Sequence, residues 1–364
     1  MGKIIIKNGF FKFEEIKKNI PLGLSDYEHT TLQFCQDWLS GKEQFVLKTS
    51  GSTGEPKPIV LNRAQMEASA LATAQKLGLK AGDTALVCLN TSFIAGVMML
   101  VRGMVIDIDL IIVQPLASPM KELKENKKID FTALVPLQLL TILEENDSNV
   151  IQLLQSMKAI LVGGASISSI LEEKIQALNV PVYSSYGMTE TVSHIALRRL
   201  NGTEKQSYYE LLSGNKIEVD ERGCLRILSA VTNNEWIQTN DLVEIINATN
   251  FLWLGRADSI INSGGIKIQS ELIENTIEKI LFENNLTNFF IASLPHPSLG
   301  EAITLFIETK ESSTSNLADK LKVVLKRFEI PKAIIYVESF PLTTTNKIDK
   351  VKIKANFKNY HFKN

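Results

Sequence analysis

The sequence predicts an α/β protein. A large N-terminal domain with mixed, mostly parallel sheets flanked by helices carries a small antiparallel β section, and a small C-terminal α+β domain joins it through a hinge. Two observations predict this. Through the first part of the chain, short apolar runs alternate with stretches of helical spacing, the pattern of βαβ units. From about Lys216 onward the texture changes to short strands separated by turn signals such as Asp220-Glu221-Arg222-Gly223.

The elements follow in order. Residues 62–79 space Ala, Leu and Met as a helix, and 83–90 form a short apolar strand. A helix from 93 to 104 leads to a strand at 108–113, a helix at 120–128 and a strand at 131–136. Helix, strand, helix and strand then alternate at 137–146, 158–165, 168–178 and 181–187. In such sheets ligands sit beyond the carboxyl ends of the strands, where this chain places glycine and polar residues such as "VGGA" and "SSYGMTE". After Asp258 come a strand and helix, two strands, a helix and a last strand. The expected division is 1–254 for the large domain, 255–258 for the hinge and 259–364 for the small one.

The 364 residues are 45% hydrophobic and 22% charged, with a formal net charge of −1, which excludes nucleic acid and an anionic membrane surface as bulk partners. Cys35, Cys88 and Cys224 are too widely spaced for a disulfide framework or a zinc knuckle, so buried reduced thiols in a cytoplasmic protein are expected. The N-terminal apolar run is too short for a signal peptide, and Ile6 stands where a myristoylation signal needs Ser or Thr. The longest apolar stretch, around 93–113, is interrupted by Arg102, Asp107 and Asp109 and reads as a buried helix entering a strand, not a membrane span.

One loop stands out. In "LKTSGSTGEPKPIVL", residues 47–61, small and hydroxylated residues lie between two strand-like runs and end on a lysine. The spacing is not that of a Walker loop. Consecutive backbone N–H groups of such a loop still form an anion nest, with hydroxyls of Thr49, Ser50, Ser52 and Thr53 and the charge of Lys57 added.

With four further segments this loop resembles the acyl-adenylate-forming superfamily, which includes acyl-CoA synthetases, peptide-synthetase adenylation domains and luciferases. The others are "VGGASIS" from Val162, "YSSYGMTET" from Tyr183, "QTNDLVEI" with "LGRADSIINSGGIKIQSELIE", and "PLTTTNKIDK" near the C-terminus. They keep the family's order and span 47–350. The resemblance implies ATP, Mg²⁺ and CoA as cofactors or co-substrates and a small carboxylic acid as substrate. The loop residues Thr49, Ser50, Gly51, Ser52, Thr53, Gly54 and Lys57 would hold phosphates. Gly164, Ala165, Ser185, Tyr186 and Gly187 would receive adenine, Asp241 the ribose hydroxyls, and Arg256 ribose and phosphate. Thr189 would touch phosphate and Glu190 would hold Mg²⁺, a hard cation suited to carboxylate oxygens. Lys347 would bridge the attacking carboxylate and the α-phosphate, lowering like-charge repulsion. Asp258 matches the family's hinge position. Ser263, Gly264, Gly265 and Lys267 match the loop lining the pantetheine channel.

Three positions depart from the family: Asn240 and Asn346 stand for glycines before the aspartate and the lysine, and Pro58 follows Lys57. Asn tolerates left-handed backbone, so both asparagines are expected to preserve geometry. The phosphate loop also falls unusually early, so part of the large domain's outer layer is expected to be absent.

Members with so early a loop look like the o-succinylbenzoate–CoA ligases of menaquinone synthesis. There Arg102, alone in an apolar helix, would meet the acid's spare carboxylate, unless it pairs with Asp107 or Asp109. Phe93 stands where that group has a histidine, and His194 either bonds the acid or fills the pocket wall. Loading of a carrier protein instead of CoA, a non-catalytic nucleotide-binding role, and homo-oligomerisation are left open.

Overall fold

The computed structural model describes residues 2–7, 9–48, 58–123, 128–310, 316–342 and 348–362. Within them a parallel block comes from strands Lys3–Ile6, Asp109–Ile112, Thr84–Val87, Phe131–Leu134, Ala159–Val162 and Val182–Gly187, adjacent in that order. Phe131–Leu134 and Ala159–Val162 are buried at every position, as expected when helices cover both faces. Apolar side chains on the two sides form separate core clusters, one around Leu100 and Leu110, the other around Leu139 and Val162.

The antiparallel section is not a separate layer. His194–Arg199 pairs with Val182–Gly187, and Tyr209–Leu211, Asn250–Arg256, Ile237–Asn247, Cys224–Leu228 and Lys216–Val219 follow, extending the same sheet to thirteen strands among the described residues. Period-2 patterning reports which face a strand buries but not which sheet it joins. A second sheet of five strands begins at Ile260–Ser263 and ends at Ala333–Val337, with helices Ser270–Glu283 and Leu317–Val324 packed against it. Glu278 on the first of these helices meets Ser169 across the two sheets: the Ser169 backbone N–H and hydroxyl both donate to its carboxylate, at 2.6 and 2.7 Å.

The strand-like runs flanking the early loop pair with each other, from Gln44↔Asn62 to Lys48↔Pro58. Pro58 therefore opens its strand, a position where a missing N–H is tolerated. The loop from Thr49 to Lys57 and Lys347 lie outside the described residues, as does Asn346. The helix expected over 120–128 is replaced, in its described part, by a single 3₁₀ turn at Pro119–Glu122. The helix expected over 168–178 is confined to Ser169–Ile175, with Ser168 capping Leu171 N–H. Cys35, Cys88 and Cys224 are buried and unpaired. Among the described residues no helix is long and apolar enough to cross a membrane.

One side chain fixes where the strand ending in "SSYG" begins. Asn201 is fully buried; its Oδ1 accepts from Val182 N–H at 3.0 Å, and its Nδ2 donates to Leu178 O and Val180 O at 2.7 and 2.9 Å. Replacing Asn201 with Ala strands three buried backbone groups, each costly to leave unpaired. The expected loss is about 2–3 kcal/mol of unfolding free energy in urea titrations.

Candidate active site

Strands Ala159–Val162 and Val182–Gly187 pair in parallel and end near each other. Val162 runs into Gly163 and Gly164, and Gly164 has φ +84°. Gly163 has no room for a Cβ, because Ser185 Oγ occupies that space while bonding Val162 O at 3.3 Å. Gly164 and Ala165 are exposed, so a flat ligand has access to backbone there.

Tyr186 anchors a polar network. Its hydroxyl donates to Asp241 Oδ2 at 2.7 Å, and its ring meets Phe251 edge-on, with centroids 5.2 Å apart. Burial first, and the adjacent Asp241 charge second, push its phenol pKa far above the ordinary value. Trp253 Nε1 donates to Asp241 Oδ1 at 3.3 Å. Arg256 Nη1 lies 3.6 Å from the same oxygen, while its Nε and Nη2 fork onto Asp258 at 2.8 and 2.6 Å. That fork holds the Asp258 carboxyl below its usual pKa, with Asn240 contributing. Tyr186, Asp241, Arg256 and Asp258, drawn from three separate places in the chain, are thus one network.

Asn240 corrects an expectation. It lies inside the strand Ile237–Asn247 and is not among the residues of positive φ, so it preserves no left-handed turn. Its side chain instead accepts from Arg222 at 3.2 Å and supports Asp258.

Thr189 is buried and Glu190 exposed in a 3₁₀ turn, Thr189–Thr191, just beyond the strand. Thr191 staples that turn: its Oγ1 accepts from Met188 N–H and lies 2.8 Å from Ser193 O. Among the described residues no three acidic, His or Cys side chains cluster as a metal site. Ser263, Gly264 and Gly265 form a tight hairpin between Ile260–Ser263 and Ile266–Gln269, with positive φ at both glycines, as a two-residue turn of this hand requires. Lys267 is exposed beside it.

A second group of residues lies deeper. Arg102, on the helix Ile94–Ile106, is 3% exposed. Asp109 pairs with Lys3 at 3.2 Å and Asp107 accepts from the Gly2 backbone, so neither serves Arg102. No carboxylate among the described residues pairs with the guanidinium. Its Nη2 donates to Ser193 Oγ at 3.1 Å and its Nε has no partner. Burial lowers its pKa to about 10. His194 is buried next to Ser193. Phe93 precedes the helix, nine residues from Arg102, which is about 13 Å along the axis, so the helix does not bring the two together. Sequence reasoning missed Ser193, Thr73 and Trp253. Ser193 adjoins a named motif, but Thr73 has no local signal and reaches His194 across 121 residues.

The AMP-binding enzyme family matches residues 40–223, over half of the chain. The chain belongs to the AMP-binding enzyme family. A solved AMP-binding relative, an acyl-CoA synthetase (AMP-forming)/AMP-acid ligase II-like protein from Dyadobacter fermentans, is 42% identical, with 95% of this chain and 98% of that one covered and a TM-score of 0.64. A 2-succinylbenzoate–CoA ligase of Listeria monocytogenes is 26% identical over 353 residues, covering 92% of this chain and 74% of the relative. The o-succinylbenzoate coenzyme A synthetase of Bacillus subtilis, solved with ATP and magnesium ion, shares the fold at TM-score 0.70 and 22% identity, covering 85% and 69% of the two chains.

Burial, and secondarily the Arg102 charge, hold the His194 imidazole well below its ordinary pKa of 6.5. Folded His194 is therefore neutral where the unfolded chain has begun to bind a proton. Stability is full above 6.5 and declines as pH falls below it, with a slope approaching roughly 1.4 kcal/mol per pH unit from this group. Urea titrations of wild type and His194→Gln from pH 7.5 to 5 are expected to show a shallower decline in the variant.

Proposed function

We propose that the protein is an ATP-dependent acid–CoA ligase acting in two steps, with 2-succinylbenzoate as its acid. In the first step a carboxylate oxygen attacks the α-phosphorus of ATP, the bond to the bridging oxygen breaks, and pyrophosphate leaves. In the second the CoA thiolate attacks the acyl carbonyl of the adenylate and AMP leaves with the C–O electron pair. Family membership supports the nucleotide chemistry. The observation that carries the choice of acid is Arg102, a buried guanidinium with an unpartnered Nε and no carboxylate among the described residues. Such a charge needs an anion, and an acid with a second carboxylate supplies one.

In this reading Asp241 orients ribose through its two oxygens, already aligned by Tyr186 and Trp253. Arg256, shared between Asp241 and Asp258, connects the nucleotide to the hinge. Exposed Glu190 fits Mg²⁺, which keeps waters and takes one or two carboxylates plus substrate phosphates, so a full protein cage is not needed. The ion, when bound, neutralises phosphate charge. Lys347 neutralises charge between the carboxylate and the α-phosphate during adenylation, and the Gly264–Gly265 turn lets a thin thiol arm pass close to backbone.

The test is pyrophosphate and AMP release over a panel of aromatic and aliphatic acids, with free CoA as acceptor. Lys347→Ala is expected to slow adenylation by about 10²-fold or more, in line with loss of one oxyanion donor. Arg102→Ala is expected to lower kcat/KM for 2-succinylbenzoate by about 10²-fold while a monocarboxylic aryl acid changes little. Full adenylation by the lysine variant, or equal losses on both acids, would remove the assigned role.

A further inference from the structure

We infer that Ser193, His194 and Thr73 form a one-way hydrogen-bond chain that positions the Arg102 guanidinium, with His194 a positioning residue and not a ligand of the acid. The role rests on the reading of Arg102 as the counter-ion of the acid's spare carboxylate; the chain itself does not.

The direction of each bond follows from the chemistry of its ends. A guanidinium only donates, so Arg102 Nη2, 3.1 Å from Ser193 Oγ, makes that hydroxyl an acceptor. His194 Nδ1 lies 3.3 Å from the same hydroxyl, which has both a proton to give and a lone pair to spare, so the far end decides the direction. At the far end Thr73 Oγ1 donates to Ser69 O, one turn back on the helix Arg63–Leu77, at 2.9 Å. A carbonyl only accepts, so the Thr73 oxygen is left to accept from His194 Nε2 at 3.0 Å. The Thr73 end therefore assigns one tautomer, Nε2–H; in a neutral ring Nδ1 then accepts the Ser193 proton, and both ring nitrogens are used. Burial and the Arg102 charge keep the ring neutral, which this pattern requires.

The backbone that presents Ser193 is strained. Val192 has φ +63° and ψ −57°, and Ser193 N–H closes onto Thr191 O at 2.6 Å. This is a γ-turn of the rare hand, centred on a β-branched residue. Such a conformation persists only where its surroundings over-determine it, and it clusters at functional sites. Here Val192 is fully buried, Thr191 bonds both sides of the turn, and Gly187 has no space for a Cβ because Ser193 O and His194 Cα lie against it. The turn sets Ser193 and His194 side by side between the helices carrying Arg102 and Thr73. A buried cation held by neutral, oriented dipoles keeps its unpartnered Nε ready for an incoming anion, and among the described residues no carboxylate competes.

The test compares wild type, Thr73→Val and Thr73→Ser. Valine keeps the shape and removes the hydroxyl; serine restores it. Thr73→Val is expected to raise KM for 2-succinylbenzoate about tenfold, the scale of one buried hydrogen bond, with kcat and KM for ATP within about twofold. Thr73→Ser is expected to restore it. Long-range ¹H–¹⁵N spectra of the ligand-free protein read the His194 tautomer directly: Nε2–H in wild type and the serine variant, and loss of that single tautomer in the valine variant. A wild-type Nδ1–H or doubly protonated ring would overturn the chain. An unchanged KM in a folded Thr73→Val protein would overturn the positioning role. Failure of wild type to turn over any acid with a second carboxylate overturns the reading of Arg102 and the role built on it, while the spectra decide the chain separately.

Discussion

A guanidinium buried without a counter-charge among the described residues is the constraint around which the deep half of the candidate site is arranged. Burial of an unpaired charge costs several kcal/mol even after relaxation, so its neighbours must supply oriented dipoles. Arg102 enters on a helix whose Gly103 has no room for a Cβ against Leu110. That close approach seats the helix on the strand Asp109–Ile112 and fixes the height of the charge. From the other side the strained turn at Val192 brings Ser193 up to it. Val192 packs in the same apolar cluster as Val97, Met98 and Val101 of that helix, so the two contributions are seated together.

The shallow half is organised differently. Asp241 sits on an antiparallel strand beside Arg256, its directly paired neighbour in the next strand. Cross-strand pairing thus delivers the cation to the carboxylate without any special loop. Because Arg256 is also the last residue before the 3₁₀ turn Ala257–Ser259, the same side chain touches the groups that close the large sheet and open the small one. Continuity of the antiparallel strands with the parallel block is what places Asp241 and Tyr186 within one hydrogen bond of each other.

Much of this was legible in the sequence. The parallel strands, the strand pair flanking the early loop and the Gly264–Gly265 turn each rest on local periodicity or on residues that few other conformations accept. Asp241 and Arg256 were named through motif order, and strand pairing sets them side by side. Thr73 was not, because its role depends on a helix packing against a strand more than a hundred residues later, and a threonine within an alanine-rich helix carries no pattern of its own. Asn240 misled because its residue type suits a left-handed turn, whereas it lies within a strand whose neighbouring residues Gln238 and Asp241 are paired to the two adjacent strands. In the described part of the helix expected over 120–128, Pro119 opens a single 3₁₀ turn that ends at Glu122.

The contact between Ser169 and Glu278 bears on how firmly the two sheets are held together. Both bonds are solvent-exposed, so water stands ready to replace each as it breaks. The helix it caps, Ser169–Ile175, is short and begins a few residues beyond Gly163 and Gly164. Such a clasp orders the small sheet without committing it. Its release costs little, because water satisfies each group as the two part.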